Sequence, residues 1–314
     1  MAEIVNVDNF VRAETARMFD GALAQTGGVN LWAHNREPTP VDAQNVIRMN
    51  RDTLYSSAVV DISEGARVTL PDRAGRYMSM MVINEDHYIN AILREPGTHE
   101  LTVEEFDTPY VAVVLRIFVE PDDAHDVAVV HELQDGLVLD ANSAKPYSHP
   151  AFDEESRKRT AKALLELNEG VPDARRTFGA KSEVDPIRHL LGTAAGWGGL
   201  PESEAFYLIE SEPRAAGHYT LTLEDVPVDG FWSMSIYNRD GYFEYNPFDS
   251  YSLNSVTSVP DEDGSVTLNL TPHPNGLENH LYVMDGWNYA FRLYLPRTSV
   301  LDGSWSLPPI VERA

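Results

Sequence analysis

The sequence contains no cysteine among its 314 residues. Disulfide bonds, zinc–thiolate centres and thiolate nucleophiles are therefore excluded from its chemistry. It also lacks an apolar run of the roughly 20 residues that a membrane-spanning helix needs. The first eight residues have neither the basic nor the apolar region of a signal peptide. Their composition favours a cytoplasmic protein and leaves secretion of a processed form open.

Basic residues are scarce: 24 Lys and Arg are outnumbered by 49 Asp and Glu, which gives a net charge of -25. A field of this sign repels nucleic-acid phosphates and anionic membrane surfaces, so neither is an expected partner. We expect a small-molecule substrate or ligand instead, and the composition leaves the oligomeric state open.

Known catalytic and cofactor motifs are also missing. The sequence has no His-Glu-x-x-His metal motif, no Gly-x-Ser-x-Gly nucleophile motif and no phosphate-binding loop. Its glycine-rich stretch at residues 192–199 ends a helical pattern and contains no lysine. No cofactor is therefore predicted. A divalent cation at the acidic residues 122–126 stays open, beside the simpler interpretation of a solvated loop.

What the chain does contain is a repeat. Residues 79–88 and 233–242 share the pattern Ser-Met-x-x-x-Asn-x-Asp-x-Tyr without a gap. Flanking segments match in the same order, residues 68–72 with 221–225 and residues 115–119 with 291–295. Chance likeness between strands is the alternative, but matches in one order favour an internal duplication.

The duplication and the apolar pattern together predict a mainly β fold. Residues 110–119 are apolar on both faces, as in an interior strand of a β-sandwich. We expect two jelly-roll-like β-sandwich domains in which Ser79 is equivalent to Ser233 and Asn84 to Asn238. The expected divisions are an N-terminal helix with the first sandwich (1–149), a helical connector (150–200) and the second sandwich (201–314).

Three aspartates are expected to begin helices. Each can offer a carboxylate to the N–H groups that the first helical turn leaves unpaired. Asp8 precedes the N-terminal helix, which Gly27 ends. Asp153 and Asp185 precede two helices of the connector, the second of which has a proline at its first position.

The densest group of hydrogen-bonding side chains is Asn-Arg-Asp-Thr-Leu-Tyr at residues 50–55. An arginine beside a carboxylate can hold a ligand carboxylate or orient a base. The alternative is a turn closed by an Asx-type hydrogen bond and a structural ion pair. As a site, the candidates are Asp52 as acid or base, Arg51 or Arg48 as anion holder, and Asn50 and Tyr55 as further ligand contacts.

Three more side chains extend this candidate site. Trp32 and His34 lie two residues apart and share one side of an extended chain, where they could form the walls of a site, with His34 as a second catalytic candidate. A core tryptophan beside a satisfied histidine is the alternative. His87 is a further ligand-binding candidate, because the second copy of the repeat has Gly241 there and the shared fold does not require a histidine.

Two arginines occupy matching strand positions, Arg116 in the first copy and Arg292 in the second. Arginine is rarely buried without a partner, so each is expected to form an internal ion pair. From the order of the motifs, the predicted partners are Asp86 for Arg116 and Asp240 for Arg292.

Several of these motifs resemble one bacterial two-domain family. Residues 29–34, 48–56, 196–202, 230–242 and 246–253 resemble the pair DUF1254 (amino-terminal) and DUF1214 (carboxy-terminal). The resemblance covers nearly the whole chain. It implies β-sandwich domains with a likeness to carbohydrate-active and glycan-amidase domains, and an activity that is largely unsettled. The chain departs from the family at residues 279–282, where Asn-His-Leu-Tyr replaces Asn-Trp-Leu-Pro, so the contacts of that loop are expected to differ.

The function expected from these residues is that of a cofactor-independent enzyme, hydrolase-type by default. Its substrate would be a small polar, hydroxylated or carboxylated molecule, with carbohydrates among the candidates. The alternative is a non-catalytic glycan- or metabolite-binding protein in which the same residues bind and nothing turns over. A shifted pKa of Asp52 would favour the enzyme.

Overall fold

The computed structural model describes residues 2–44 and 47–313. Within these residues the helices are α1 (Phe10–Thr26), α2 (Val103–Phe106), α3 (Ala124–Asp135), α4 (Glu154–Asn168), α5 (Pro186–Gly196) and α6 (Thr298–Leu301). None of the helices in this part of the chain has the length and apolar character that crossing a bilayer requires.

Strands predominate, which confirms the predicted mainly β fold. The described residues form β1 (Ala33–Asn35), β2 (Thr53–Asp61), β3 (Ala66–Leu70), β4 (Met78–Asn84), β5 (Ile89–Leu93), β6 (Gly97–Leu101), β7 (Tyr110–Phe118), β8 (Val138–Ala141), β9 (Ala205–Arg214), β10 (His218–Leu223), β11 (Trp232–Tyr237), β12 (Ser252–Asn254), β13 (Val266–Leu270), β14 (His280–Leu281), β15 (Trp287–Tyr294) and β16 (Val311–Arg313).

The chain folds into two compact units. The first unit comprises Met1–Arg36, Leu54–Phe118 and His125–Glu202, and the second comprises Glu37–Thr53, Val119–Ala124 and Ser203–Ala314. Residues 37–53, which interrupt the first unit in sequence, therefore belong to the second. The helical segment expected as a connector, residues 150–200, lies within the first unit.

Two of the three predicted helix starts are correct. Asp153 accepts a hydrogen bond from the Ser156 N–H at 2.8 Å, and Asp185 accepts one from the Ile187 N–H at 2.9 Å. The third prediction is wrong: Asp8 lies in a preceding turn, and α1 begins after Asn9. The end of α1 is as predicted, because Gly27 adopts a left-handed conformation with φ of 81°.

Each unit contains two β-sheets. In the first unit a five-stranded sheet has the order β1-β2-β7-β4-β5, and a three-stranded sheet has the order β6-β3-β8. In the second unit the orders are β12-β11-β15-β9 and β14-β13-β10-β16. Leu221 and Leu268 of one sheet pack in a single apolar cluster with Met234 and Phe291 of the other, which is the arrangement of a β-sandwich.

Seven strands of the first unit correspond in order to seven strands of the second. The order β2-β7-β4-β5 corresponds to β9-β15-β11-β12, and β6-β3-β8 corresponds to β13-β10-β16. The register also agrees, because Ser79 pairs with Arg116 and Ser233 pairs with Arg292 in antiparallel ladders. These pairings confirm the internal duplication with Ser79 and Ser233 as equivalent residues.

The repeated asparagine closes the same turn in both copies. Asn84 Oδ1 accepts hydrogen bonds from the backbone N–H groups of residues 86 and 88, at 3.0 and 2.9 Å. Asn238 Oδ1 does the same for residues 240 and 242, at 3.1 Å each. The motif is therefore explained by backbone hydrogen bonding, and its asparagine is a structural residue.

Alternation along the strands gives each main sheet an inner and an outer face. In the second unit Met234 and Phe291 point into the sandwich, while Ser235, Tyr237 and Arg292 lie on the outer face. Apolar residues of the segment 37–53 pack on this outer face next to Tyr237. The matching outer face of the first unit is covered by α1.

Candidate functional site

A buried arginine organises the outer face of the second unit. Arg292 lies on β15 and is 4% exposed. Its guanidinium donates to Ser235 Oγ at 2.9 Å and to the Tyr237 hydroxyl at 2.8 Å. It also donates to the carbonyl oxygens of Arg48 at 2.9 Å and Met49 at 3.4 Å. The side chain thus attaches the segment 37–53 to the sheet.

The predicted partner of Arg292 is wrong. Asp240 is exposed and follows the strand in the asparagine turn, whereas the carboxylate that acts on Arg292 electrostatically is that of Asp52. Burial alone would lower the pKa of Arg292, but Tyr237, Tyr294 and Asp52 together raise it above its ordinary value. The guanidinium is therefore charged inside the unit.

Asn50 closes a turn with its side chain, as the alternative interpretation of residues 50–55 predicted. Its Oδ1 accepts a hydrogen bond from the Asp52 N–H at 2.9 Å, which is an Asx-type turn. Its amide nitrogen donates to Thr53 Oγ1 at 3.1 Å and to the Tyr294 hydroxyl at 2.9 Å. The Asn50 side chain is therefore fully used in fixing the segment to the second unit.

Asp52 is completely buried, and its two oxygens differ. Oδ1 accepts long hydrogen bonds of 3.4 Å from Ser252 Oγ and from Asn254 Nδ2. Oδ2 and Ser233 Oγ are both buried without a hydrogen bond of ordinary length, but Ser233 is near enough to Asp52 to lower the pKa of its carboxyl group. Burial raises the pKa of Asp52, and the opposing effects of Arg292 and of the nearby hydroxyl and amide groups only partly offset it.

The two other arginines of this segment are also bound within the second unit. Arg48 has a left-handed backbone with φ of 54°, and its guanidinium donates to Ser211 Oγ at 3.0 Å. Arg51 donates to the Thr39 carbonyl at 2.5 Å and lies 5.2 Å from the centre of the Tyr251 ring. Both side chains serve internal contacts in this structure.

The remaining candidates, Trp32, His34, Tyr55 and His87, belong to the first unit. Trp32 and His34 stack with ring centres 6.1 Å apart, as their spacing predicted. His34 Nδ1 forms a hydrogen bond with Ser56 Oγ at 2.8 Å, and burial followed by the Arg36 charge lowers the pKa of His34. His34 is therefore neutral at pH 7.

His87 is completely buried. Its ring stacks on Trp197 with centres 5.2 Å apart and an interplanar angle of 15°. Both ring nitrogens form hydrogen bonds, one with Thr193 Oγ1 at 2.8 Å and the other with the Gly198 N–H at 2.9 Å. His87 therefore lies behind a tryptophan and has no ring nitrogen available for a ligand.

An open groove of about 400 Å³ lies between α1 and the outer face of the five-stranded sheet. Tyr55 forms part of its floor, together with Asn35 and Ser57 on the neighbouring positions of β1 and β2. Trp197 closes one side, and its indole N–H donates to Thr15 Oγ1 at 3.0 Å. Of the sequence-predicted site residues, Tyr55 is the one that lines this groove.

Helix α1 supplies the other wall of the groove. Phe19 is fully buried beside the groove and meets Trp197 edge to face with ring centres 6.3 Å apart. Arg17 and Gln25 add polar groups, and Glu14 forms an ion pair with Arg17 at 2.5 Å. Sequence reasoning missed Arg17 and Trp197, although residue 197 lies in one of the motifs that carried the family resemblance.

Arg116 on β7 is the equivalent of Arg292 in the first unit, and it connects the floor of the groove to its wall. Its guanidinium lies 5.4 Å from the centre of the Tyr55 ring and donates to the Gly198 carbonyl at 2.9 Å. The predicted partner Asp86 is paired with Arg12 at 2.8 Å.

The described residues contain no group of three His, Asp or Glu side chains arranged to hold a metal ion. Two carboxylates of the acidic stretch at 122–126 lie near arginines. Asp122 lies 4.0 Å from Arg51, and Asp126 is paired with Arg76. These carboxylates therefore contact arginines, which competes with binding of a cation.

The fold defines the chain as a protein of two duplicated β-sandwich units. Comparison with family models gives the particular pair: residues 29–95 match DUF1254, a protein of unknown function, and residues 210–298 match DUF1214, also a protein of unknown function. One match lies in the amino-terminal half of the chain and the other in the carboxy-terminal half, which confirms the resemblance seen in the motifs.

Two solved bacterial structures have a similar fold. The VPA0106 protein from Vibrio parahaemolyticus has a TM-score of 0.77 and 19% identity, over 98% of this chain and 98% of its own. An uncharacterised protein from Burkholderia cenocepacia has a TM-score of 0.50 and 15% identity, over 97% of this chain and 85% of its own. No curated protein matches the sequence. At these identities the likeness shows the fold alone.

Arg292→Ala should destabilise the protein by ~3–5 kcal/mol, because the buried Tyr237 hydroxyl and two carbonyl oxygens would lose their charged donor. Urea unfolding followed by circular dichroism measures this loss. The matched control is Arg297→Ala, whose ion pair with Asp229 is 60% and 66% exposed. Such a pair contributes at most ~1 kcal/mol. An Arg292→Ala protein as stable as the control would show that the guanidinium does not hold the segment.

Proposed function

We propose that the protein binds a small molecule in the groove of the first unit, and that this molecule has a flat or cyclic apolar body and a carboxylate or hydroxyl group. The observation that carries the proposal is the groove itself. Its volume of about 400 Å³ lies within the range of small-molecule sites, roughly 300–1,000 Å³. It combines an aromatic surface with a few polar groups, as such sites do.

The apolar body of the ligand is inferred from the aromatic lining. Tyr55 and Trp197 present rings to the groove from a strand and a loop, and the fully buried Phe19 of α1 packs against Trp197. Rings that approach from different directions favour a ligand with a face to stack and an edge to contact. Ala112 and Val114 extend the apolar surface along β7.

The polar group of the ligand is inferred from the charges. Arg17 is the charged residue among those that line the groove in the described chain, and Asp and Glu are absent from that lining. This composition stands out in a protein with 49 acidic and 24 basic residues. Asn35, Ser57 and Gln25 can form hydrogen bonds with hydroxyl or carboxylate oxygens. The groove therefore favours a neutral or anionic ligand over a cation.

Calorimetric titration with 4-hydroxyphenylacetate and its neutral amide tests the proposal. Trp197→Ala should weaken binding of the acid by about tenfold, because ring stacking contributes ~0.5–1.5 kcal/mol beyond the area it buries. Arg17→Gln should weaken the acid by about threefold and leave the amide unchanged, since an exposed charge contributes ~0.2–1 kcal/mol.

The control for Arg17→Gln is Arg297→Gln, an exposed arginine of the second unit. It should bind both compounds like the wild type. Binding that is absent in the wild type, or equal in Trp197→Ala and the wild type, would contradict the proposal for this class of ligand.

A hydrolase that uses Asp52 is the second candidate. The raised pKa of Asp52 supports it, because an acid or base with a displaced pKa is a frequent feature of active sites. Complete burial of the carboxyl group is the observation that places this candidate second.

Asp52→Asn tests the second candidate. A raised folded-state pKa means that wild-type stability falls as the pH rises from the ordinary value of 3.8 through the folded pKa. Asp52→Asn cannot ionise, so it lacks this pH-dependent loss of stability. In urea unfolding at pH 7 the variant should therefore be at least as stable as the wild type. The stability difference between the two proteins should shrink at pH 4.

The reaction is tested with p-nitrophenyl acetate and p-nitrophenyl glycosides. If Asp52 is the acid or base, wild-type turnover should fall by at least about a hundredfold in Asp52→Asn. Equal turnover in both proteins would exclude the role. An unfolded variant would show that the carboxylate is needed as a partner of Arg292.

A further inference from the structure

The backbone at His87 makes the presence of histidine there unexpected. His87 has a φ of 62°, in the left-handed region that residues other than glycine seldom adopt. Its equivalent in the second unit is Gly241, with a φ of 84°, and that unit forms the same asparagine turn. The turn therefore does not need a histidine, and the reason for the side chain must lie in what the ring contacts.

The hydrogen bonds fix the ring in one protonation state. The Gly198 N–H donates to Nε2 at 2.9 Å, so Nε2 carries no proton. The Thr193 hydroxyl donates to the His189 carbonyl at 2.8 Å, so it accepts from His87 Nδ1–H. Burial followed by the nearby His189 keeps the pKa of His87 well below its ordinary value, which agrees with a neutral ring.

The His87 ring contacts two adjacent residues beside the groove, Trp197 and Gly198. It stacks on Trp197, whose other edges face Phe19 and the groove. It also holds the N–H of Gly198, whose carbonyl accepts from Arg116, and Arg116 lies over the ring of Tyr55. One buried imidazole is thus connected to the wall of the groove and, through an arginine, to its floor.

We propose that His87 is the positioning residue of the groove: it holds Trp197 and Gly198 so that Trp197 and Tyr55 face each other across the bound ligand. The ring itself does not contact the ligand. This role rests on the proposed function of the groove, and it accounts for a histidine at a position where the duplicated unit has glycine.

His87→Gly is the informative variant, because glycine adopts a left-handed φ freely and reproduces the second unit. It removes the ring without adding strain to the turn. Thr193→Val and Thr193→Ser form a second pair that keeps the ring. Valine removes the acceptor of Nδ1–H, while serine retains it, and Thr193 does not line the groove.

The first readout needs no ligand. Proteins labelled with 5-fluorotryptophan give resonances for five tryptophans, and that of Trp197 is assigned from a Trp197→Phe variant. His87→Gly should shift and broaden the Trp197 resonance and leave that of Trp305 unchanged. An unchanged Trp197 resonance in a folded His87→Gly protein would overturn the proposal.

The second readout is calorimetric titration with 4-hydroxyphenylacetate. The dissociation constant should rise by about fivefold or more in His87→Gly and by about two- to threefold in Thr193→Val, in keeping with the loss of one or two buried hydrogen bonds. Thr193→Ser should remain within about twofold of the wild type, since it keeps the hydroxyl. Equal weakening in the serine and valine variants would contradict a role through Nδ1.

The two proposals fail in different ways. If the wild type does not bind the probe but the Trp197 resonance responds to His87→Gly, the proposed ligand class fails and the positioning role stands. If Trp197→Ala abolishes binding while His87→Gly and Thr193→Val bind like the wild type, the groove stands and the positioning role is overturned. Should His87→Gly not fold, the Thr193 pair decides by the same criteria.

Discussion

The second unit depends on the burial of one guanidinium. Arg292 satisfies its donors with a serine, a tyrosine and two backbone carbonyls, and those carbonyls belong to residues 48 and 49. A buried charge cannot lose such partners cheaply, so the segment 37–53 is fixed to the sheet even though it interrupts the first unit in sequence. Part of the dense polar motif at residues 50–55 lies beside this guanidinium: Asn50 shapes the turn, and Asp52 acts on Arg292 electrostatically.

The duplication allows the same sheet face to be compared in the two units. Arg116 and Arg292 stand at the same register position opposite equivalent serines. On the second unit that face is covered by the irregular segment 37–53. Arg292 uses its hydrogen-bond donors to hold this segment. On the first unit the same face is covered by helix α1, and a groove remains between this helix and the sheet. The candidate binding site therefore lies in the unit whose outer face is incompletely filled.

Local requirements explain what could be predicted from the sequence. The asparagine turns, the caps at Asp153 and Asp185 and the apolar β7 each depend on residues close together in the chain, so their patterns indicated the structure directly. The groove is formed by α1, β2 and the residues after α5. These segments are far apart in sequence, so no short motif predicts that they lie together. The contacts of Arg292 with the backbone of residues 48 and 49 were missed for the same reason, because these residues are distant from it in sequence. His87 was predicted to bind a ligand because the repeat has glycine at the equivalent position. Its burial depends on Trp197 and Thr193, which the repeat does not contain.

The location of the ligand is the most direct test of this account. Crystals soaked with 4-hydroxyphenylacetate should show the molecule between Tyr55 and Trp197, with its carboxylate towards Arg17. A molecule bound instead against Asn50 and Asp52 of the second unit, with the groove of the first unit empty, would contradict the account.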